Sequence, residues 1–145
     1  MTRIDFYVLQ SGTEQQRSVL ACRLAEKAFG LGLGIYVHTP SQTATAQLDD
    51  LLWTFRDGSF LPHLQIDQSD AVDPQRRTQI LLGHCDAPDD CDGLLINLAD
   101  DVPLFFSRFE RVAEIVTGSD AGRSLARDRF RFYRDRGYTL STHKL

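Results

Sequence analysis

Two short runs, QILLG at 79–83 and GLLINLA at 93–99, constrain the fold more than any other feature of the chain. Each holds several consecutive apolar residues. They are too short for a buried helix and lack the alternation of a strand with one face in water. A strand that is apolar on both faces must be covered on both, and helical crossovers between parallel strands supply that cover. The rest of the chain offers such helices. RIDFYVL (3–9) alternates and reads as a strand, Ser11-Gly12-Thr13 follows as a turn and helix cap, and a helical pattern runs from Glu14 to about Phe29. GLGLG (30–34) closes that helix, IYVHT (35–39) is another strand, and Pro40-Ser41 opens a second helix to about Phe55. A strand is expected at 111–116, after a short turn or helix near Phe105. A last helix then runs from about Ala121 to Arg136, stopped by Gly137, with YTLST as a final strand. The expected fold is α/β. It is a single domain over 1–145, with an open, mostly parallel sheet, helices on both faces and a Rossmann-like topology without a nucleotide-binding loop.

Composition narrows the class without naming a function. With 42% hydrophobic and 25% charged residues the chain is an ordinary soluble globular protein. No apolar run approaches the roughly 18 residues of a membrane span. MTRIDFYVLQ lacks the features of a signal peptide. Three cysteines at irregular spacing make no disulfide framework. A reduced, cytoplasmic protein is expected, with no membrane partner.

The motifs that suggest chemistry do not carry it. A phosphate-binding glycine loop follows a strand and opens a helix, because the ligand uses the free N–H groups of the first turn. GLGLG closes a helix and leads into a strand, the opposite polarity. His84, Cys85 and Cys91, in HCDAPDDCDG (84–93), match no standard zinc spacing, and that stretch reads as an exposed acidic loop. His38 falls at a strand end and His63 in a loop, neither beside a nucleophile in sequence. No catalytic residue, metal or cofactor is expected. An enzyme on a nucleotide-binding-like scaffold stays open only because catalytic sets are assembled in space.

Charge is concentrated at one end. Residues 121–145 hold seven Lys/Arg against two Asp, a local +5, so the first 120 residues carry -9 of a net -4. Within RSLARDRFRFYRDRGY (123–138), an ideal wheel puts Arg123, Arg134, Arg127 and Arg131 in an arc of about 80°. Leu125, Ala126, Phe132 and Tyr133 form the expected buried arc, Arg129 and Arg136 fall within it, and Phe130 sits at the edge of the arginine stripe. Such a stripe suits a ligand with negative charges and an apolar group. The alternative is a solvated charged face with Phe130 tucked into the core. In the second helix, Ala44, Leu48, Leu51, Leu52 and Phe55 make one apolar stripe and Trp53 projects about 100° away from it. Trp53, followed by Phe60, Leu61 and Pro62, is either a protein–protein anchor or covered by the following loop.

The chain resembles the chi subunit family of bacterial DNA polymerase III over nearly its whole length. The resemblance rests on DFYVL, LDDLLWTFRDGSFLPH, LLINLADDVPLFFSRFERVAEIV and the terminal LARDRFRFYRDRGY. It implies a non-catalytic α/β accessory of the clamp-loader complex with two partners, the psi subunit and the acidic, apolar-ended C-terminal tail of single-stranded-DNA-binding protein. Carried over, the tail-binding positions are Arg123, Arg127, Phe130 and Arg131, with Val116 as a pocket wall; the wheel adds Arg134 at the periphery. Arg127 is assigned the terminal carboxylate, since its planar fork suits bidentate pairing. Where better-known relatives have Lys, Tyr and Lys, this chain has Arg123, Phe130 and Arg131, which keeps charge and aromaticity but loses a hydroxyl. The psi contact is expected around Trp53, Phe60 and Pro62. The stretch from Asp67 to Asp92 departs from the family. Little or no direct nucleic-acid binding is expected; a single-stranded nucleic-acid module, with arginines on phosphates and Phe130 stacking a base, is the alternative.

Overall fold

Polar caps and left-handed glycines cut the chain into short elements whose apolar faces meet across one sheet. The computed structural model describes residues 1–10, 12–58, 60–66 and 79–145. Ser11 of the expected cap turn, and residues 67–78 of the divergent stretch, lie outside the described residues. The strands are β1 (Arg3–Val8), β2 (Ile35–His38), β3 (His63–Gln65), β4 (Ile80–Gly83), β5 (Leu94–Asn97), β6 (Arg111–Val116) and β7 (Thr139–Lys144). They form one sheet in the order β3-β4-β2-β5-β6-β1-β7, with every neighbouring pair parallel. The helices are α1 (Glu14–Gly30), α2 (Gln42–Thr54) and α3 (Asp120–Asp135).

Local chemistry explains the boundaries. At α1 the Gln16 N–H donates to Thr13 Oγ1 and the Thr13 N–H donates to the Gln16 side chain, both at 3.2 Å, a reciprocal capping box. Ser41 caps α2 by accepting from the Ala44 N–H at 3.1 Å. After α1 the backbone turns left-handed at Gly32, φ +77°, and after α3 at Gly137, φ +81°. GLGLG therefore ends a helix and feeds β2.

Alternation along the strands divides the core in two. Ile80, Leu82, Ile96, Ala113 and Ile115 face α1 and α2, where Ala21, Cys22, Ala25, Leu48 and Leu52 cover them. Ile4, Phe6, Leu81, Leu95 and Val112 face the other way, under Ala126 and Tyr133 of α3 and the rings of Phe105, Phe106 and Phe109. The two apolar runs thus lie in strands buried on both sides, with helices on both faces of the sheet.

Three expectations need correction. His63 is not in a loop but begins β3, a three-residue edge strand too short to show any periodicity. The 84–93 segment is not simply exposed: Asp86 and Asp89 face solvent, while Ala87 and Cys91 are buried in the core on the α3 side. It carries the chain from β4 to β5 past β2 without a helix, so its small residues serve as cover; the Tyr36 hydroxyl donates to the Cys85 carbonyl at 2.5 Å. Burial pushes the Cys91 and Cys22 thiols up to about 12, which keeps both protonated and unreactive. Leu125, expected in the buried arc, is 37% exposed. The helix instead seats on Ala126, Arg129 and Tyr133, because a buried ion pair draws Arg129 inward.

Candidate functional site

Helix α3 connects β6 to β7, two strands separated by β1, so it must cross over β1. Its first turn seats tightly. Ser119 accepts from the Gly122 N–H at 3.1 Å, and a Cβ on residue 122 would collide with the Thr117 hydroxyl, so glycine is what lets the helix approach the end of β6.

Further along, a polar network ties α3 down. Glu114 on β6 is fully buried, and its carboxylate accepts from Arg129 Nε at 2.9 Å, from the Tyr133 hydroxyl at 2.7 Å and from Asn97 Nδ2 at 3.0 Å. Arg129 also donates to the Asp100 carbonyl at 3.0 Å, and Asn97 to the Asp101 carbonyl at 3.1 Å. Burial raises the Glu114 pKa, opposed first by the Arg129 charge and then by the hydrogen bonds from Asn97 and Tyr133. The same burial, reinforced by the neighbouring Glu114 charge, drives the Tyr133 hydroxyl well above its ordinary range. Neither Asn97 nor Glu114 stood out in the sequence. A single Glu inside RVAEIV, an otherwise apolar strand, was the one available signal.

Beside this anchor lies a cleft of about 210 Å³. Phe6 and Val8 of β1, Val116 of β6, Ala126 and Phe130 of α3 and Thr142 of β7 line it, together with the stems of Arg123 and Arg127. Phe130 is half-buried and leans on Phe6 with ring centroids 5.4 Å apart. Among the expected tail-binding residues, the fold brings Val116, Arg123, Arg127 and Phe130 together here. Arg131 and Arg134 do not line the cleft; each pairs with an aspartate of its own helix, Asp128 at 3.3 Å and Asp135 at 3.2 Å. Arg123 and Arg127 are exposed, and among the described residues neither has an ion-pair partner. The two arginines of the buried arc part ways: Arg129 pairs with Glu114, whereas Arg136 stays exposed with its guanidinium 3.5 Å from the centroid of Phe132. Two exposed guanidiniums beside an apolar recess can hold a small apolar group attached to a carboxylate. Phe6, Val8 and Thr142 could not be read as lining, because the strand neighbours of β1 are not encoded locally.

At the opposite edge of the sheet, Trp53 is 58% and Phe60 85% exposed, and Pro62 is exposed as well. The side chain of His63 is fully buried, against the Trp53 ring. Its ring lies 4.5 Å from that of Trp53, its Nδ1 is 2.7 Å from the Leu61 carbonyl, and its Nε2 is 3.2 Å from Asp49 Oδ1. The Trp53 ring therefore stands on a fixed support.

The carboxyl ends of β2 and β5 form a third recess, the place where open α/β sheets commonly bind ligands. Thr39, Leu48, Leu51 and Leu98 line it together with the carboxylates Glu14 and Asp50, of which Glu14 pairs with Arg17 at 3.4 Å. No helix is long and apolar enough to cross a membrane among the described residues.

Comparison with known proteins adds a lineage to this geometry. The family model described as DNA polymerase III chi subunit, HolC, matches residues 1–141. The DNA polymerase III subunit chi of Pseudomonas aeruginosa is 43% identical over 145 residues, spanning 100% of this chain and 98% of that protein. The protein of the same name from Haemophilus influenzae is 26% identical over 142 residues, 97% of this chain and 96% of that one. The one from Escherichia coli is 24% identical over 153 aligned positions, covering 98% and 97% respectively.

Proposed function

The chain belongs to the DNA polymerase III chi subunit family, an accessory rather than the catalytic subunit of a replicative polymerase, and from that premise we propose that it is a non-catalytic adaptor with two docking surfaces. The cleft under α3 takes the acidic C-terminal tail of single-stranded-DNA-binding protein. The Trp53 edge takes the psi subunit of the clamp loader. Work in the cytoplasm follows from this role. The observation that carries the reading is the α3 cleft: an apolar recess whose two rim arginines, Arg123 and Arg127, have no ion-pair partner among the described residues. The apolar terminal residue enters between Phe6, Val8, Val116 and Phe130, and the terminal carboxylate meets the guanidinium of Arg127. The site as a whole needs both a charge and an apolar end, which excludes peptides offering only one.

Placement supports the adaptor reading. The sheet order puts β3 and β7 at opposite edges, six strand spacings apart, on the order of 30 Å. Two partners can then bind at once without touching.

Isothermal titration with a tail peptide is the test. Arg127→Ala should abolish most of the affinity, whereas an unchanged affinity would remove the carboxylate assignment. The competing nucleic-acid reading needs Phe130 free to stack a base, and its ring is half-buried against Phe6. Fluorescence anisotropy with a single-stranded oligonucleotide separates the two: tight binding that falls steeply with salt would favour that reading instead.

A further inference from the structure

One rim of the α3 cleft belongs to the sheet rather than to the helix. Thr142 of β7 lines the cleft, and alternate residues of a strand face the same side, so Lys144 faces the cleft side as well. The residue between them goes the other way: His143 stacks on Tyr7 at 4.9 Å and its Nε2 lies 3.1 Å from Asp5 Oδ1, on the opposite face of the sheet. Register sets the rest. Val8 is paired with Val116 on one side and with Lys144 on the other, so the row Val116, Val8, Lys144 runs across the sheet at the cleft's end. The Leu145 N–H donates to the Val8 carbonyl at 3.0 Å, which holds this end of β7 against β1. Lys144 is exposed, and among the described residues it has no ion-pair partner.

Resting on the docking reading above, we propose that Lys144 is a strand-borne specificity contact that pairs with an acidic side chain upstream of the ligand's terminal apolar residue. The cleft then has cationic groups on two sides, guanidiniums on α3 and an ammonium on β7, with the apolar floor between them. A ligand with one carboxylate satisfies one side only. A peptide whose acidic residues precede its apolar end satisfies both. Lysine suits this task because its ammonium is a point charge on a flexible stem, free to meet a carboxylate at more than one position along a peptide.

The experiment uses two synthetic peptides with free carboxyl ends, one finishing Asp-Asp-Leu-Phe and the other Asn-Asn-Leu-Phe, titrated against wild type, Lys144→Gln, Lys144→Glu and Arg127→Ala. For the Asp probe, Lys144→Gln should weaken binding about threefold and Lys144→Glu about tenfold, in keeping with an exposed ion pair lost and then reversed. For the Asn probe, Lys144→Gln should leave affinity unchanged. If both probes lose equally on Lys144 substitution, the side chain supports the strand and the inference is overturned. If Lys144→Glu binds the Asp probe like wild type while Arg127→Ala loses both probes, Lys144 is excluded and the docking reading stands. If wild type binds neither probe, the docking reading fails and this inference with it.

Discussion

At the β7 edge the apolar residues Phe6, Val8, Val116 and Phe130 are drawn by packing into a recess, and charge is confined to its rim; at the β3 edge, Trp53 and Phe60 stand out into solvent. The first surface is made by the crossing of α3 over β1, and its shape depends on a buried network beneath it. The second is made by exposure, with one ring propped on a buried histidine. A recess admits a terminus and selects it by charge. An open apolar face is satisfied only by a partner that covers it, and left bare it is a liability for solubility. On the proposed function, the β3 edge suits a lasting association within the clamp loader and the β7 edge a reversible one with a peptide tail.

The largest effect should come from the network that builds the recess. Glu114→Ala leaves the Arg129 charge buried without its partner, which should cost about 3–5 kcal/mol of stability in urea denaturation. A loss below about 1 kcal/mol would mean that α3 is held by its apolar contacts alone. Next, Arg127→Ala should remove about 2–5 kcal/mol of tail-peptide affinity while leaving both the melting temperature and the psi interaction unchanged. A matching loss of psi binding would break the claim that the two edges act separately. Trp53→Ala should weaken psi binding by about 2 kcal/mol in a pull-down or titration, with no change in peptide affinity. The smallest change is expected at Arg134, already paired with Asp135: Arg134→Ala should alter peptide affinity by less than about 0.5 kcal/mol. A larger loss would extend the dock beyond the cleft.

Much of this architecture was legible. Residues 111–116 and the turn at Gly137 fall where the sequence reading put them, and α1 starts right after Thr13, within the turn expected to cap it. The wheel grouped Arg123 with Arg127, but it could not separate them from Arg131 and Arg134. That separation depends on Asp128 and Asp135 as local partners and on which end of α3 overhangs Val116. His63 was missed as strand and as support because its three-residue strand carries no repeat, and because its burial depends on Trp53 folding over it.

What the sequence determined by itself were the local states: which stretches are helix or strand, where they stop, and which face of each is apolar. These follow from side-chain chemistry and spacing within a few residues. Tertiary structure alone decided that β1 lies between β6 and β7, and so that Val116, Val8 and Lys144 share a row beneath α3. Strand order is a long-range choice, made by the total burial of both sheet faces, and residues over 100 positions apart in the chain become neighbours only when that choice is made.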